Sequence, residues 1–133
     1  MTTNWIIALP RADINHCLKV GMFGLSRKNV INRVRSGDKI LCLATGGGNW
    51  SFVASGHATS DYFLDVEPIF LRADIFPDRF KLQATKFRSE IPFAKVVSRL
   101  ALIKRPEYYA VYFRNGIAEI TEQDWDCIMD SVG

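Results

Sequence analysis

KILCLATGGGNWSFVASGHA, residues 39–58, is the stretch that decides the fold. Lys39 to Ala44 is a nearly all apolar run, which is typical of a central strand. Trp50 to Ala58 is a second strand-like run, and Thr45-Gly46-Gly47-Gly48-Asn49 between them has the composition of a turn. The three glycines lack the Gly-Lys-Ser/Thr that would follow in a phosphate-binding loop. The stretch therefore predicts a β-hairpin.

The chain before the hairpin predicts one strand and two helices. Trp5 to Leu9 is a short apolar run typical of a first strand, and residues 11–20 suit a helix that Gly21 would end. Ser26 is expected to cap a second helix, which would end at Gly37. Its buried face would carry Val30, Ile31 and Val34.

The chain after the hairpin contains one clearly alternating segment, from Arg79 to Thr85. Phe80, Leu82 and Ala84 fall on one face of it, which predicts a half-buried strand. Further expected elements are a short helical segment within Ile91–Leu100, a strand at Ile117–Ile120 and a final helix capped by Thr121. We predict an α+β fold: a small, mostly antiparallel β-barrel of about five strands flanked by short helices, as one domain over residues 1–133.

The composition is that of a soluble globular domain, with 48% apolar and 23% charged residues. No apolar run approaches the roughly 20 residues of a membrane span. The N-terminus lacks the basic and long apolar regions of a signal peptide, so we expect a cytoplasmic protein without a membrane partner. Cys17, Cys42 and Cys127 are widely spaced and odd in number, which predicts core thiols and no disulfide framework.

Patterns typical of catalysis or metal binding are missing from the sequence. His16 and His57 have no metal-ligand spacing with each other or with a cysteine. No serine stands in a Gly-x-Ser-x-Gly turn. We therefore predict that the protein is not an enzyme and has no catalytic residue, metal or cofactor; an enzyme acting on a nucleobase or small molecule is kept as an alternative.

Basic residues occur in clusters although the net charge is only +3. Cations on one face of a protein can contact phosphates, whereas the alternative interpretation is a solvated helix face. The candidate phosphate-binding residues are Arg27, Lys28, Arg33, Lys81, Lys86 and Arg88.

Aromatic residues lie on expected loops near these clusters. Phe23 falls in an expected connection between two helices, and Phe63, Phe70 and Phe76 punctuate an irregular stretch before the alternating strand. A pocket for a flipped base needs such rings for stacking, with charge outside it for phosphate. Alternatively, the rings close the ends of the barrel as part of the core.

Several motifs, taken in order, resemble EVE domains, which belong with the YTH domains in the PUA-like group. The resemblance covers essentially the whole chain. It rests on Trp5, Gly21–Leu25, Val34–Ile40, Ala58–Asp61, Phe76–Lys81, Ile91–Phe93 and Ile120–Asp124. The stretches similar to YTH domains are Asp13–Phe23, Phe52–Ala58, Arg79–Leu82 and Glu90–Phe93.

The resemblance implies a PUA-like barrel whose pocket stacks a modified base between aromatic rings. Phe23 would stand at a position that is tryptophan in YTH domains, and Phe76 at another position of the aromatic cage. Asp13 matches the residue that hydrogen-bonds the base edge in some YTH domains. The third wall would come from Phe63, Phe70 or Leu71. Trp5 and Trp50 would line the cavity or pack in the core.

The predicted partner is nucleic acid carrying a modified base, with DNA expected over RNA. N6-methyladenine and 5-methylcytosine-type bases are the first candidates. The resemblance extends to DNA-reading domains of modification-dependent restriction systems, which implies a fused or associated motor or nuclease. The alternative is a PUA-type RNA-binding adjunct of tRNA or rRNA modification that binds by shape without reading a modified base.

Overall fold

The computed structural model describes residues 2–25, 30–71 and 75–132. The strands are β1 Asn4–Pro10, β2 Met22–Leu25, β3 Lys39–Thr45, β4 Ser51–Ala58, β5 Phe63–Leu64, β6 Asp78–Pro92 and β7 Ile117–Ile120. The α-helices are α1 Arg11–Val20, α2 Phe93–Val96 and α3 Glu122–Met129. Short 3₁₀ segments cover Val30–Arg33, Val97–Arg99 and Pro106–Phe113.

The strands form a curled sheet, a half-barrel, in the order β2-β6-β4-β3-β1-β7. Strand β5 pairs with the start of β6 on the edge opposite to β2. Only the pairing of β1 with β3 is parallel among these described strands; the others are antiparallel. The predicted α+β class with a mostly antiparallel sheet is confirmed.

The predicted hairpin is present as β3 and β4. Gly46, Gly47 and Gly48 have φ angles of 94°, 63° and 75°, values that L side chains rarely adopt. Strand β3 lies between β1 and β4, and its interior residues are buried. The expectation that this strand is central is therefore confirmed.

Two helix boundaries also agree with the sequence. Helix α1 ends at Gly21, whose backbone is left-handed and whose N–H donates to the Cys17 carbonyl over 2.8 Å. Helix α3 begins after Thr121, whose Oγ1 accepts a hydrogen bond from the Asp124 N–H at 3.1 Å. Both caps could be predicted from the sequence because each depends on the conformation or side chain of the capping residue itself.

Four features of the fold differ from the prediction. Phe23 lies in strand β2, paired with Phe80, and not in a connection between helices. Of the helix expected before Gly37, the described part is only the 3₁₀ turn Val30–Arg33; Ser26 lies outside the described residues. Strand β6 continues to Pro92, and the 3₁₀ segment Pro106–Phe113 was not predicted.

The sheet separates two hydrophobic cores, because successive residues of its central strands point to opposite faces. Trp5 and Ile7 belong to the core that α1 and β2 cover, whereas Ile6 and Ala8 belong to the core under α2, α3 and Pro106–Phe113. No helix in the described residues is long and apolar enough to cross a membrane.

Trp5 is fixed in the first core by a polar contact as well as by burial. Its Nε1–H donates to Oδ2 of Asp38 over 2.9 Å, and the same buried carboxylate accepts from the backbone N–H groups of Thr3 and Arg35. The thiols of Cys17 and Cys42 are free and buried, and burial raises the pKa of each to about 12. These thiols are therefore inert core groups.

Candidate functional site

A cleft of about 800 Å³ opens where several strands end. Its lining includes the last residues of β1, β2 and β3, namely Pro10, Leu25 and Thr45, together with Trp50 just before β4. The volume lies within the range of about 300–1,000 Å³ that is usual for ligand sites. The remaining lining residues are Ala8, Leu9, Phe76, Ala110, Phe113, Arg114, Asn115 and Gly116.

A second cavity of about 30 Å³ adjoins the cleft, since Leu9 and Phe76 line both. Helix α1 and the segment before β6 enclose it. Its other lining residues are Asp13, His16, Cys17, Gly24, Phe70 and Leu71. A space of this size holds about one water molecule and cannot take a base. It lies next to the cleft, at the two residues that line both.

Phe76, between the two cavities, has a backbone conformation that is unfavourable for its residue type. Its φ angle is 51°, and within the described residues it alone has a positive φ without being a glycine. Such a conformation costs on the order of 1–3 kcal/mol and persists only where the surroundings impose it. The ring packs edge-on against Phe70, with 5.6 Å between the ring centroids.

Arg79 imposes this conformation from beneath the segment. The side chain is completely buried, and its Nε–H donates to the Phe76 carbonyl over 2.9 Å. Its Nη2 donates to the carbonyls of Ile75, over 2.8 Å, and Glu67. The guanidinium carbon lies 4.9 Å from the centre of the Phe70 ring. One buried cation thus holds the segment that carries both phenylalanines.

Further contacts fix the same segment to the sheet and to α1. The Ile69 carbonyl accepts a hydrogen bond from Nε2 of His16 over 2.6 Å. The Tyr62 hydroxyl donates to Oδ1 of Asp78 at 2.5 Å, and this hydrogen bond raises the pKa of the Tyr62 hydroxyl. These contacts hold described residues of this wall against helix α1 and the sheet.

Gly24 allows this wall to approach strand β2. A Cβ at this position would lie 2.8 Å from two ring carbons of Phe70 and 2.9 Å from the Phe76 carbonyl oxygen. Real Cβ atoms essentially never show such distances, so any other residue would displace the Phe70–Phe76 pair. The side chain is absent here because the two aromatic residues occupy its space.

The structure brings five of the proposed pocket residues together at the two cavities: Asp13, Trp50, Phe70, Leu71 and Phe76. It was not possible to foresee from the sequence that Trp50, on the hairpin, would face Phe76 across a cleft.

Three other proposed residues lie away from both cavities. Trp5 and Phe23 are completely buried in the core, where Phe23 packs against Phe80 with 5.5 Å between ring centroids. Neither could present a ring face to a base without leaving that core. Phe63, in strand β5, is half-buried and lines neither cavity.

Trp50 is held in place by a second group of aromatic rings. Its ring centroid lies 4.8 Å from that of Tyr109, 5.6 Å from that of Phe93 and 6.0 Å from that of Phe113. Phe113 also lines the cleft, followed by Arg114 and Asn115. This wall was not predicted from the sequence.

The candidate phosphate-binding residues differ in their availability. Nη2 of Arg33 forms an ion pair with Glu119 at 2.6 Å, which neutralises its charge in part. The side chains of Lys81, Lys86 and Arg88 are exposed on β6. Arg27 and Lys28 lie outside the described residues. No group of three or more potential metal-ligating side chains occurs among the residues that the structure describes.

Comparison with known proteins gives structural relatives only, since neither a protein-family model nor a curated protein matches the sequence. The DUF55 domain of human thymocyte nuclear protein 1 has a TM-score of 0.67 at 12% identity over 96% of each chain. The human THYN1 protein in complex with 5-methylcytosine-containing DNA has a TM-score of 0.65 at 11% identity, covering 97% of this chain and 96% of that one. The Mmi1 YTH domain has a TM-score of 0.64 at 12% identity, covering 98% and 75%. The chain therefore has the PUA-like fold of EVE (DUF55) and YTH domains, as its sequence motifs implied.

Proposed function

We propose that this protein binds nucleic acid and recognises a modified base that is flipped out of its strand into the cleft. The observation that carries the proposal is Phe76, a strained aromatic residue held between two adjoining cavities by a buried arginine. Strain of this kind is found mainly at functional sites. The fold likeness to a protein in complex with 5-methylcytosine-containing DNA supports the same function.

The cleft offers what a flipped base requires. Trp50 and Phe76 supply aromatic rings, and stacking of a base on such a ring contributes about 1–3 kcal/mol. Thr45 and Asn115 add a hydroxyl and an amide that can hydrogen-bond a base edge. Among the described residues that line the cleft there is no carboxylate, so the lining does not repel a polyanion.

The small cavity would distinguish a modified base from an unmodified one. A methyl group on the base that reached past Phe76 would meet Leu9, Phe70 and Leu71. Burial of one methyl group contributes about 0.8 kcal/mol, so the mark adjusts affinity without dominating it. Asp13, at the other side of this cavity, is the candidate acceptor for an exocyclic amine.

The proposed ligand is DNA carrying N6-methyladenine or a 5-methylcytosine-type base, as in a modification-dependent restriction or related system. In such a system the reading domain is fused to, or associated with, a motor or nuclease. Lys81, Lys86 and Arg88 would contact phosphates and supply affinity that does not depend on sequence. The proposed role is binding and not catalysis.

Fluorescence anisotropy with matched oligonucleotides tests the proposal. The set contains single- and double-stranded DNA and RNA, unmodified or carrying N6-methyladenine, 5-methylcytosine or 5-hydroxymethylcytosine, at one salt concentration. We expect a preference of at least about fourfold for one modified form, which corresponds to the contribution of about 0.8 kcal/mol from one buried methyl group. Equal affinity within every pair would refute base reading, and a general preference for folded RNA would favour the RNA-binding alternative.

Phe76→Ala and a matched control locate the reading site. Loss of one stacking ring should weaken binding of the modified oligonucleotide by about 5- to 150-fold, which is the equivalent of about 1–3 kcal/mol. Leu64→Ala removes an exposed apolar side chain that lines neither cavity and should leave the affinity unchanged. Similar losses in both variants would exclude Phe76 as the stacking residue.

A further inference from the structure

We propose that a basic surface on the C-terminal half of the chain binds the nucleotides that flank the flipped base. This C-terminal basic surface consists of Lys104, Arg105, Tyr108 and Arg114. The inference deepens the proposed function and rests on it for the position of the base. The phosphate contacts themselves do not require a modified base.

The stretch that contains this surface is rich in basic residues. Residues 94–116 contain one acidic residue, Glu107, and five basic ones: Lys95, Arg99, Lys104, Arg105 and Arg114. Residues 104–114, which hold the C-terminal basic surface, contain three of these basic residues and the one acidic residue, a net charge of +2 within eleven residues. Positive charge is therefore more concentrated on this surface than in the chain as a whole, whose net charge is +3 over 133 residues.

The ion pairs among the described residues are formed elsewhere. Arg11, Arg33 and Lys39 are neutralised by exposed glutamates at 2.6–2.7 Å. Within the part of the chain that the structure describes, Lys104 and Arg114 form no salt bridge, and the same holds for Arg105. Their charge is thus available to a ligand.

The geometry connects these cations to the cleft. Lys104 and Arg105 precede the 3₁₀ segment Pro106–Phe113, and Arg114 follows it. The Tyr112 hydroxyl accepts hydrogen bonds from the backbone N–H groups of Lys104 and Arg105 at 3.2 and 3.3 Å, which fixes the start of the segment. At its other end, Phe113 and Arg114 line the cleft. The surface is therefore continuous with the proposed base site.

The segment between these cations is compact. The chain kinks at Tyr108, and the hydrogen bonds of the Tyr112 hydroxyl keep the start of the segment within reach of one tyrosine side chain from its end. The cations at its two ends are therefore placed to contact neighbouring phosphates of one strand.

Tyr108 gives this surface an aromatic group as well as charge. Its side chain is 57% exposed, although a large apolar ring is normally covered, and it lies directly between the basic residues. Exposed rings alternating with cations are typical of surfaces that bind nucleic acid strands by stacking and phosphate contact. An acidic protein could also bind the cations, but the continuity with the cleft favours the strand that carries the flipped base.

The test measures the salt dependence of binding to a modified duplex and its unmodified counterpart. The slope of the logarithm of the binding constant against the logarithm of the salt concentration is negative. Its magnitude should decrease by about 1.8 in the Lys104→Ala/Arg105→Ala double variant and by about 0.9 in Arg114→Ala. The double variant, whose two cations are not among the residues that line the cleft, should weaken binding of both duplexes equally. Lys19→Ala, an exposed cation on α1, is the matched control and should leave the slope unchanged.

The outcomes separate this inference from the proposed function. Reduced slopes in the variants support the C-terminal basic surface even if no oligonucleotide pair shows a preference, in which case only base reading fails. If the variants keep the preference for the modified duplex and their salt slopes equal that of Lys19→Ala, the C-terminal basic surface does not contact phosphates. Base reading would then stand. Binding of an acidic protein that the variants abolish, without any change in the slopes, would likewise overturn the C-terminal basic surface as a phosphate contact.

Discussion

Arg79→Met should destabilise the protein more than any comparable change of an exposed arginine. The substitution keeps most of the apolar stem but removes the guanidinium that donates to the carbonyls of Phe76, Ile75 and Glu67. Hydrogen bonds to charged groups contribute about 1.5–3 kcal/mol each. Removal of a buried cation also relieves its desolvation cost, and the exposed residues Ile75 and Glu67 can regain water at their carbonyls.

Because these effects oppose each other, we expect the free energy of unfolding to fall by about 3 kcal/mol. This is the lower end of the range of about 3–5 kcal/mol that is typical when one partner of a buried charged pair is removed. For a chain of this length the melting temperature should fall by about 9–15 °C. Arg79→Lys keeps the charge, but one ammonium cannot reproduce the planar fork of an arginine, so we expect an intermediate loss.

Urea unfolding followed by tryptophan fluorescence measures both variants. Arg88→Met is the control, because Arg88 is exposed on the same strand and its loss should change stability by no more than about 0.5 kcal/mol. A free energy of unfolding for Arg79→Met within about 1 kcal/mol of that control would refute the anchoring role of Arg79.

Two further predictions concern the wall of the site and its ion pairs. Gly24→Ala places a Cβ 2.8 Å from the Phe70 ring and should lower the free energy of unfolding by about 1–3 kcal/mol. It should also reduce the preference for the modified oligonucleotide that anisotropy measures. An unchanged preference would contradict this prediction. The Arg11 guanidinium lowers the pKa of the Glu90 carboxyl, so this ion pair stabilises the fold above about pH 5 and is lost as the pH falls through the lowered pKa. Because both groups are exposed, Glu90→Gln should cost less than about 1 kcal/mol at pH 7 and nothing near pH 2; a cost that does not vary with pH would show that the charge is not its source.

Local signals predicted much of the fold. The left-handed cap at Gly21 and the hydroxyl cap at Thr121 follow from the residues themselves, and Phe80 and Leu82 are buried while Lys81 is exposed, as the alternation predicted. Strand β2 was not predicted because four residues between glycine and serine carry little periodicity. Its strand conformation comes from pairing with β6, a partner more than fifty residues away.

The site was harder to predict than the fold because its parts meet only in three dimensions. Asp13, Trp50 and Phe76 lie on separate elements, and the sequence marked their types but not their proximity. The alternation of the segment Arg79–Thr85 did not indicate that Arg79 is buried. It is buried because the segment before β6 folds over it, which no local pattern records.

The position of β7 in the sheet has a consequence for synthesis on the ribosome. Strand β1 is synthesised before the other described strands of the sheet, yet one of its two neighbours, Ile117–Ile120, is synthesised after all of them. Until then the outer edge of β1 has unpaired backbone groups that can bind another chain, as exposed edges do during slow folding. The Ala8 N–H, which donates to the Gly116 carbonyl over 2.9 Å in the folded protein, is one of the groups that lack their partner until then. Nascent chains that stall before residue 116 should therefore be the form most prone to aggregate and most dependent on chaperones.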